Sequence, residues 1–409
     1  MNVNSKSDQN HQNETFLWKF IPISEYSLPK IAKTESVKNV LKVFSQSIWR
    51  KEKKKEDPMD TIKLCEIPHG IQNLLNPNED WNNAAKSLRA VLKNWFDDDI
   101  KKSKIQFIIG SPFSGIDKIL QITANTSDLD MVKPPSYEQI INSDQNWLNS
   151  IINYNKKPFV INQLEKFYFR CPEGLEFFRN LIDILLSGNF KCIIGCTSWS
   201  WSFLKQVLDL DSLVATPLTL EAFNENKLIN FLSLPNKESE TNKFEFRQID
   251  NKKLVLTNRL KISTTSDNNS KESSDFIEKL AEKSLGIPGI AKAIWNHSLQ
   301  YNYDSNKNQN SVITIWLKPW TKIQLPVVQP GLKRKEIIIL YMIILHGNLS
   351  LDLLDKLLLF SHIDILNSLT HLHDMKLIKN ETDSWSINPI AYPNIRSFFE
   401  SEGYLVSVF

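Results

Sequence analysis

Between Lys104 and Leu120 the chain reads KIQFIIGSPFSGIDKIL, an apolar run, then a loop punctuated by glycine, then a helical stretch. That layout can hold phosphate, because backbone N–H groups converge at the start of a helix whose dipole favours an anion. Set against the pattern G-x-x-x-x-G-K-[ST], Gly110 and Gly115 stand at the glycine positions, with Ser111, Pro112, Phe113 and Ser114 between them. The lysine position holds Ile116 and the hydroxyl position holds Asp117. The loop keeps its amides and loses both the point charge for the phosphates and the hydroxyl ligand for Mg²⁺. Lys118 lies close in sequence, but two positions past Ile116 it points around the helix from the direction the motif lysine takes.

Phosphoryl transfer also needs an acid for Mg²⁺ and a second acid to polarise water, at the end of a nearby strand. The corresponding stretch is PFVINQLEKF, where Asn162 and Gln163 are amides, and an amide oxygen without formal charge is a poor partner for the cation. Glu165 follows three residues on, within reach to substitute for a lost acid, but beyond the strand end it reads rather as a helix-start or surface charge. Thr197 and Ser198 end the run CIIGCT-S, where a γ-phosphate sensor would sit, although strand ends commonly carry Ser or Thr for capping. Trp199 and Trp201 read as packing residues. With lysine, hydroxyl and acids lost together, no residue is assigned a catalytic role. ATP hydrolysis is expected to be weak or absent, ATP or ADP is the cofactor that loop amides could retain, and Mg²⁺ is expected to bind weakly or not at all. His371 and His373 are two positions apart and face away from each other, so with His362 they make no zinc pair, and no metal site is expected.

These residues need a sheet to hold them. The apolar runs IQFIIG, PFVIN, FKCIIGC and LVATPLTL alternate with helical segments, including Ser143 to Tyr154 and Gly174 to Ser187. Runs this nearly continuously apolar, separated by helices, predict a three-layer α/β fold around a parallel sheet covered on both faces. The length of 409 residues is too great for one typical core. The expected organisation is a disordered polar tail (1–15), a helical N-terminal region with the charged linker RKEKKKEDP (16–85), the α/β domain (86–235), an insertion with helical lid and connecting strand (236–330), and a last unit (331–409). That last unit reads helix, short helix, helix, two strands and a final helix, the order of a winged helix.

The sequence of motifs GSPFSGID, FVINQLE, CIIGCTSW, PLTLEAF, LGIPGIAKAIW and a winged helix resembles the STAND class of P-loop ATPases. These are related to AAA+ proteins and include the NACHT and NB-ARC modules. The resemblance covers roughly residues 86 to 409 and implies a G-x-P contact to nucleotide from the lid, at Gly286 and Pro288. It implies a nucleotide-controlled switch or scaffold with a protein partner. The degenerate motifs turn that expectation toward a pseudo-ATPase. A slow ATPase completed in trans by a neighbouring protomer and a winged-helix transcriptional regulator are the alternatives, and oligomerisation is left open.

Charge bears on the partner. With 49 basic and 46 acidic residues the net charge is +3, too small for a field that recruits nucleic acid or anionic lipid. Between Leu349 and Trp385 the acids Asp352, Asp355, Asp364, Asp374, Glu381 and Asp383 outnumber Lys356, Lys376 and Lys379, which opposes docking on DNA. Lys333, Arg334 and Lys335 precede that stretch and could touch backbone. The longest apolar stretch, Ile337 to Leu345, is far short of the ~20 residues of a membrane span, so no membrane insertion is expected. Four cysteines without a C-x-x-C fit a reducing cytoplasm.

Overall fold

The computed structural model describes residues 17–29, 64–77, 79–97, 104–208, 210, 216–233, 243–257, 275–303 and 312–407. The polar tail, the charged run at 50–58 and the polar stretch at 265–274 lie outside the described residues.

Among the described residues, six strands form the main sheet: β1 (Phe20–Pro22), β2 (Lys104–Gly110), β3 (Asp130–Met131), β4 (Phe159–Ile161), β5 (Lys191–Thr197) and β6 (Leu218–Leu220). Their order is β1-β6-β2-β5-β4-β3. Strands β2 to β6 run parallel, and β1 joins antiparallel to β6. Strand β5 therefore lies between β2, which leads into the glycine loop, and β4, which leads to Asn162. Register is full along β2 and β5, from Lys104 opposite Lys191 to Gly110 opposite Thr197, which brings the loop and Thr197 to the same sheet end.

Alternate residues of a strand point to opposite faces, yet every residue from Lys191 to Cys196 is buried, so helices cover both sides. The covering helices include α1 (Trp81–Val91), α2 (Ile116–Thr126), α3 (Pro172–Ser187) and α4 (Ser198–Leu208). Phe107, Ile108 and Ile109 of β2 are wholly enclosed, each contributing about 1.5–3 kcal/mol of burial. The fold is a three-layer, P-loop NTPase-like α/β fold. One expectation is corrected: Phe20–Pro22, inside the stretch read as helical, is an edge strand. Its three residues form main-chain pairs with Leu218–Leu220, a long-range partner that local periodicity cannot reveal.

A second sheet contains β7 (Lys243–Gln248), β8 (Leu254–Thr257), β9 (Leu299–Gln300) and β10 (Val312–Leu317), in the order β8-β7-β10-β9. The expected hairpin is β7–β8, and the expected connecting strand β10 lies parallel against β7. Between β8 and β9 run α5 (Phe276–Lys283) and α6 (Pro288–Ser298), separated at Gly286, whose φ of 68° suits glycine. The chain ends with α7 (Arg334–His346), β11 (Asn348–Ser350), α8 (Leu351–Leu357), α9 (His362–Asp374), β12 (Ile378–Glu381), β13 (Ser384–Ile387) and α10 (Tyr392–Ser401). The helices and two strands expected there are present, and β11 adds a third strand beside β13.

This last unit is fastened to the main sheet's helices. Trp199 Nε1 donates to the Tyr392 hydroxyl at 2.9 Å, and Ser200 Oγ donates to the Leu345 carbonyl at 2.6 Å. Trp199 packs edge-on against Phe399 and Tyr341, and Trp201 lies against Phe107. Both tryptophans are packing residues. Among the described residues, no helix is long and apolar enough to cross a membrane.

Candidate functional site

Strand β2 ends at Gly110 and α2 begins at Ile116, so the intervening loop presents its amides at a helix start. Left-handed residues Phe113 (φ 67°) and Gly115 (φ 79°) curl it, and Ser114 N donates to the Ser111 carbonyl at 3.0 Å. Alternating handedness of this kind turns amides toward one concavity. Gly110 through Asp117 line a cleft of about 400 Å³.

At the lysine position, Ile116 is buried and folds back over the first glycine: a Cβ on Gly110 would overlap its Cγ1. An apolar branch thus covers the base of the loop. Asp117 lies in the first turn of α2, where its carboxylate suits the helix dipole and opposes phosphate by like charge.

Across the cleft, Asn162 Nδ2 donates to the Asp117 carbonyl at 2.9 Å, while Asn162 Oδ1 is buried without a protein partner among the described residues. Gln163 adopts φ 59° and opens a short turn, Leu164–Lys166. Glu165 in that turn is not the surface charge its sequence context implied, being only 5% exposed. The turn folds it inward beneath β5, where Thr197 N donates to its Oε2 at 3.2 Å. Burial raises its carboxyl to about 7, against the pull of backbone hydrogen bonds and the nearby Lys166, with Asp117 pushing the same way as burial. His346, at the end of α7, sets Nδ1 3.1 Å from the Glu165 carbonyl. Burial lowers its imidazole to about 4, so it is neutral at pH 7.

Of the two sensor-position residues, Thr197 lines the cleft, but its hydroxyl accepts from Ser200 N at 3.3 Å and so caps α4. Ser198 is buried off the cleft, its hydroxyl without a protein partner among the described residues. Gly286 and Pro288 do not line the cleft either. Gly286 accepts from Phe223 N at 2.8 Å and packs against the segment after β6, whereas its neighbour Gly289 meets the loop directly and donates to the Phe113 carbonyl at 3.1 Å.

The donor set fits Mg²⁺ poorly. Asn162 and Gln163 carry no charge, and Glu165 is tied to Thr197 and held toward its protonated form. Among the described residues no group of His, Cys, Asp and Glu gathers as metal ligands would. The loop amides fit an anion better, with Lys118 on the cleft wall supplying charge from two positions further along the helix than the pattern places its lysine.

Four separate segments converge on the loop. Tyr26 from the N-terminal part bonds the Ser111 side chain, and burial raises its phenol to about 12. Trp81 of α1 lies so close over Gly115 that a Cβ there would overlap its ring. Gly289 meets Phe113, and Tyr392 of α10 packs edge-on against the Phe113 ring at 5.9 Å. Ile343, Ile344, Gly347, Ser386 and Ile387 of the last unit line the cleft as well. Sequence reasoning missed all of these. The second glycine of GIPG was a local sign of close approach; the others are long-range contacts with no local signal.

Neither a family model nor a curated protein matches the chain. Among solved structures, the ORC2 protein of Aeropyrum pernix in its ADPNP–ADP complexes is similar at 11% identity, over 84% of this chain and 98% of that one, with a TM-score of 0.39. RuvB of Thermotoga maritima is similar at 13% identity, over 80% and 95%, with a TM-score of 0.30. Cdc6p of Pyrobaculum aerophilum is similar at 11% identity, over 80% and 96%, with a TM-score of 0.31.

Proposed function

We propose that this chain is a STAND- or AAA-like pseudo-ATPase, a regulatory or scaffolding protein whose cleft binds ATP or ADP weakly. The observation that carries the reading is Ile116 lying over Gly110, where the chemistry of phosphoryl transfer calls for a cation. The amide Asn162 and the enclosed Glu165 support it from the opposite wall. In this reading residues 86–235 are the nucleotide module, 236–330 the insertion and lid, and 331–409 a winged helix that closes the cleft. Because that last unit lines the cleft, a ligand there acts on its docking, and a protein partner senses the result. The acidic α8–β13 region favours a protein partner over DNA.

The test is calorimetry and thermal unfolding with ATP and ADP, each with and without Mg²⁺, alongside a phosphate-release assay. The expected result is weak binding that does not require Mg²⁺ and no phosphate release above background. The double variant Ile116→Lys with Asp117→Thr should gain about tenfold or more in affinity, the worth of one charge-assisted hydrogen bond. Mg²⁺-dependent phosphate release that rises steeply with protein concentration would overturn the reading in favour of an ATPase completed in trans.

A further inference from the structure

The two oxygens of the Glu79 carboxylate reach two lysines on different elements. Oε1 is 3.1 Å from Lys292 Nζ on α6, and Oε2 is 3.6 Å from Lys118 Nζ on α2. The Glu79 and Lys292 side chains are 21% and 24% exposed and that of Lys118 55%, so the bridge sits at the edge of the cleft with its Lys118 end open to solvent. Glu79 itself lines the cleft beside Gly110–Lys118. Among the described residues it is the ion-pair partner of both lysines.

The short segment carrying Glu79 is held in place. Trp81 N donates to the Glu79 carbonyl at 2.7 Å, and Asp80 caps α1 by accepting from Asn83 N at 3.1 Å. Trp81 covers Gly115, and Lys118 Nζ stands 5.4 Å from the centroid of its ring. One tripeptide thus covers the helix start and neutralises the two cations beside it. A carboxylate shared between two ammonium groups is the geometry in which those groups would hold a phosphate.

We propose that Lys118 and Lys292 form an oligophosphate site at the rim of the cleft and that Glu79 is its built-in competitor. This rests on reading the cleft as a phosphate site, and it locates the cation that the loop itself has lost. The ligand is a diphosphate group, free or as part of a nucleotide. Its arrival displaces Glu79 from both lysines and so frees the 79–81 segment from α6.

The test is calorimetric titration of the full chain, at low salt and without Mg²⁺, with inorganic pyrophosphate and separately with ADP. Wild type is compared with Glu79→Gln and with Glu79→Gln/Lys292→Gln. Glu79→Gln should tighten pyrophosphate about tenfold, as removing a competing ion pair at each lysine allows, and the added Lys292→Gln should cancel the gain. Glu79→Asp keeps the charge, shortens its reach and should gain less in the same direction, which serves if the glutamine variant folds poorly. If ADP follows pyrophosphate, the site takes nucleotides. If pyrophosphate alone tightens, the anion site stands and the nucleotide reading fails. Wild-type ADP binding that none of these variants changes would overturn the anion site and leave the nucleotide reading intact. A lower melting temperature without any gain in affinity would show a purely structural bridge and overturn the proposal, as would no pyrophosphate binding by any variant.

Discussion

Replacing Glu165 with glutamine should stabilise the protein at pH 8 and leave it nearly unchanged near pH 4.5. The carboxyl titrates at 4.5 when solvated and at about 7 in the folded protein, with burial the dominant cause. Its folded value is raised, so its contribution is fully present below pH 4.5 and is lost as pH rises through about 7. Above that pH the folded protein carries an enclosed carboxylate at a cost of about 3 kcal/mol, a large share of the 5–15 kcal/mol typical of a domain. Glutamine carries no charge and keeps an oxygen for the Thr197 amide. His346 runs the other way: its folded value falls from 6.5 to about 4, so its contribution is present above 6.5 and lost as pH falls through about 4. In wild type the two slopes oppose each other between about 4.5 and 6.5, whereas Glu165→Gln should show the rising slope of His346 alone. Urea unfolding followed by tryptophan fluorescence at pH 5, 6, 7 and 8 measures both. A wild-type-to-variant difference that stays constant across that range, or a variant less stable at pH 8, would refute the reasoning.

Two further substitutions test how the loop is clasped and how the last unit is held. Gly289→Ala puts a methyl group into the Phe113 carbonyl, which is backbone and cannot rotate aside, so a loss of about 1–3 kcal/mol and a lower melting temperature are expected. An unchanged melting temperature would mean that α6 does not rest on the loop in solution. Trp199→Phe removes the donor to the buried Tyr392 hydroxyl and should cost about 1–3 kcal/mol in urea unfolding; a change below 0.5 kcal/mol, roughly the size of a surface substitution, would speak against that bond as a fastener.

The parts of the fold that were legible in sequence are those whose signal is local. IQFIIG and FKCIIGC are apolar on every residue but Gln106 and Lys191 because both faces of β2 and β5 are covered, and the glycine pattern marks the bend between β2 and α2. Strands β1, β3 and β11 are two or three residues long and owe their form to a distant partner, which leaves no periodicity to read. The candidate site divides in the same way. Gly110 to Asp117 follow from spacing, but burial of Glu165 depends on the turn at Gln163 and on α7 lying across it, 181 residues later in the chain. Helix geometry alone directs Lys118 away from the loop; Glu79 and Trp81, which precede β2 in sequence, draw it to the cleft wall.

The outer margins of the six-stranded sheet have a consequence for assembly. At one margin β1 is three residues long and ends in Pro22, which has no N–H to offer; at the other, β3 is only two residues long. Among the described residues, neither presents a run of open main-chain groups long enough to template a strand from another molecule, so these margins are guarded against edge-to-edge growth. A second protein, or a second copy, must therefore recognise this sheet's surroundings through side chains, where single substitutions can tune or abolish the contact.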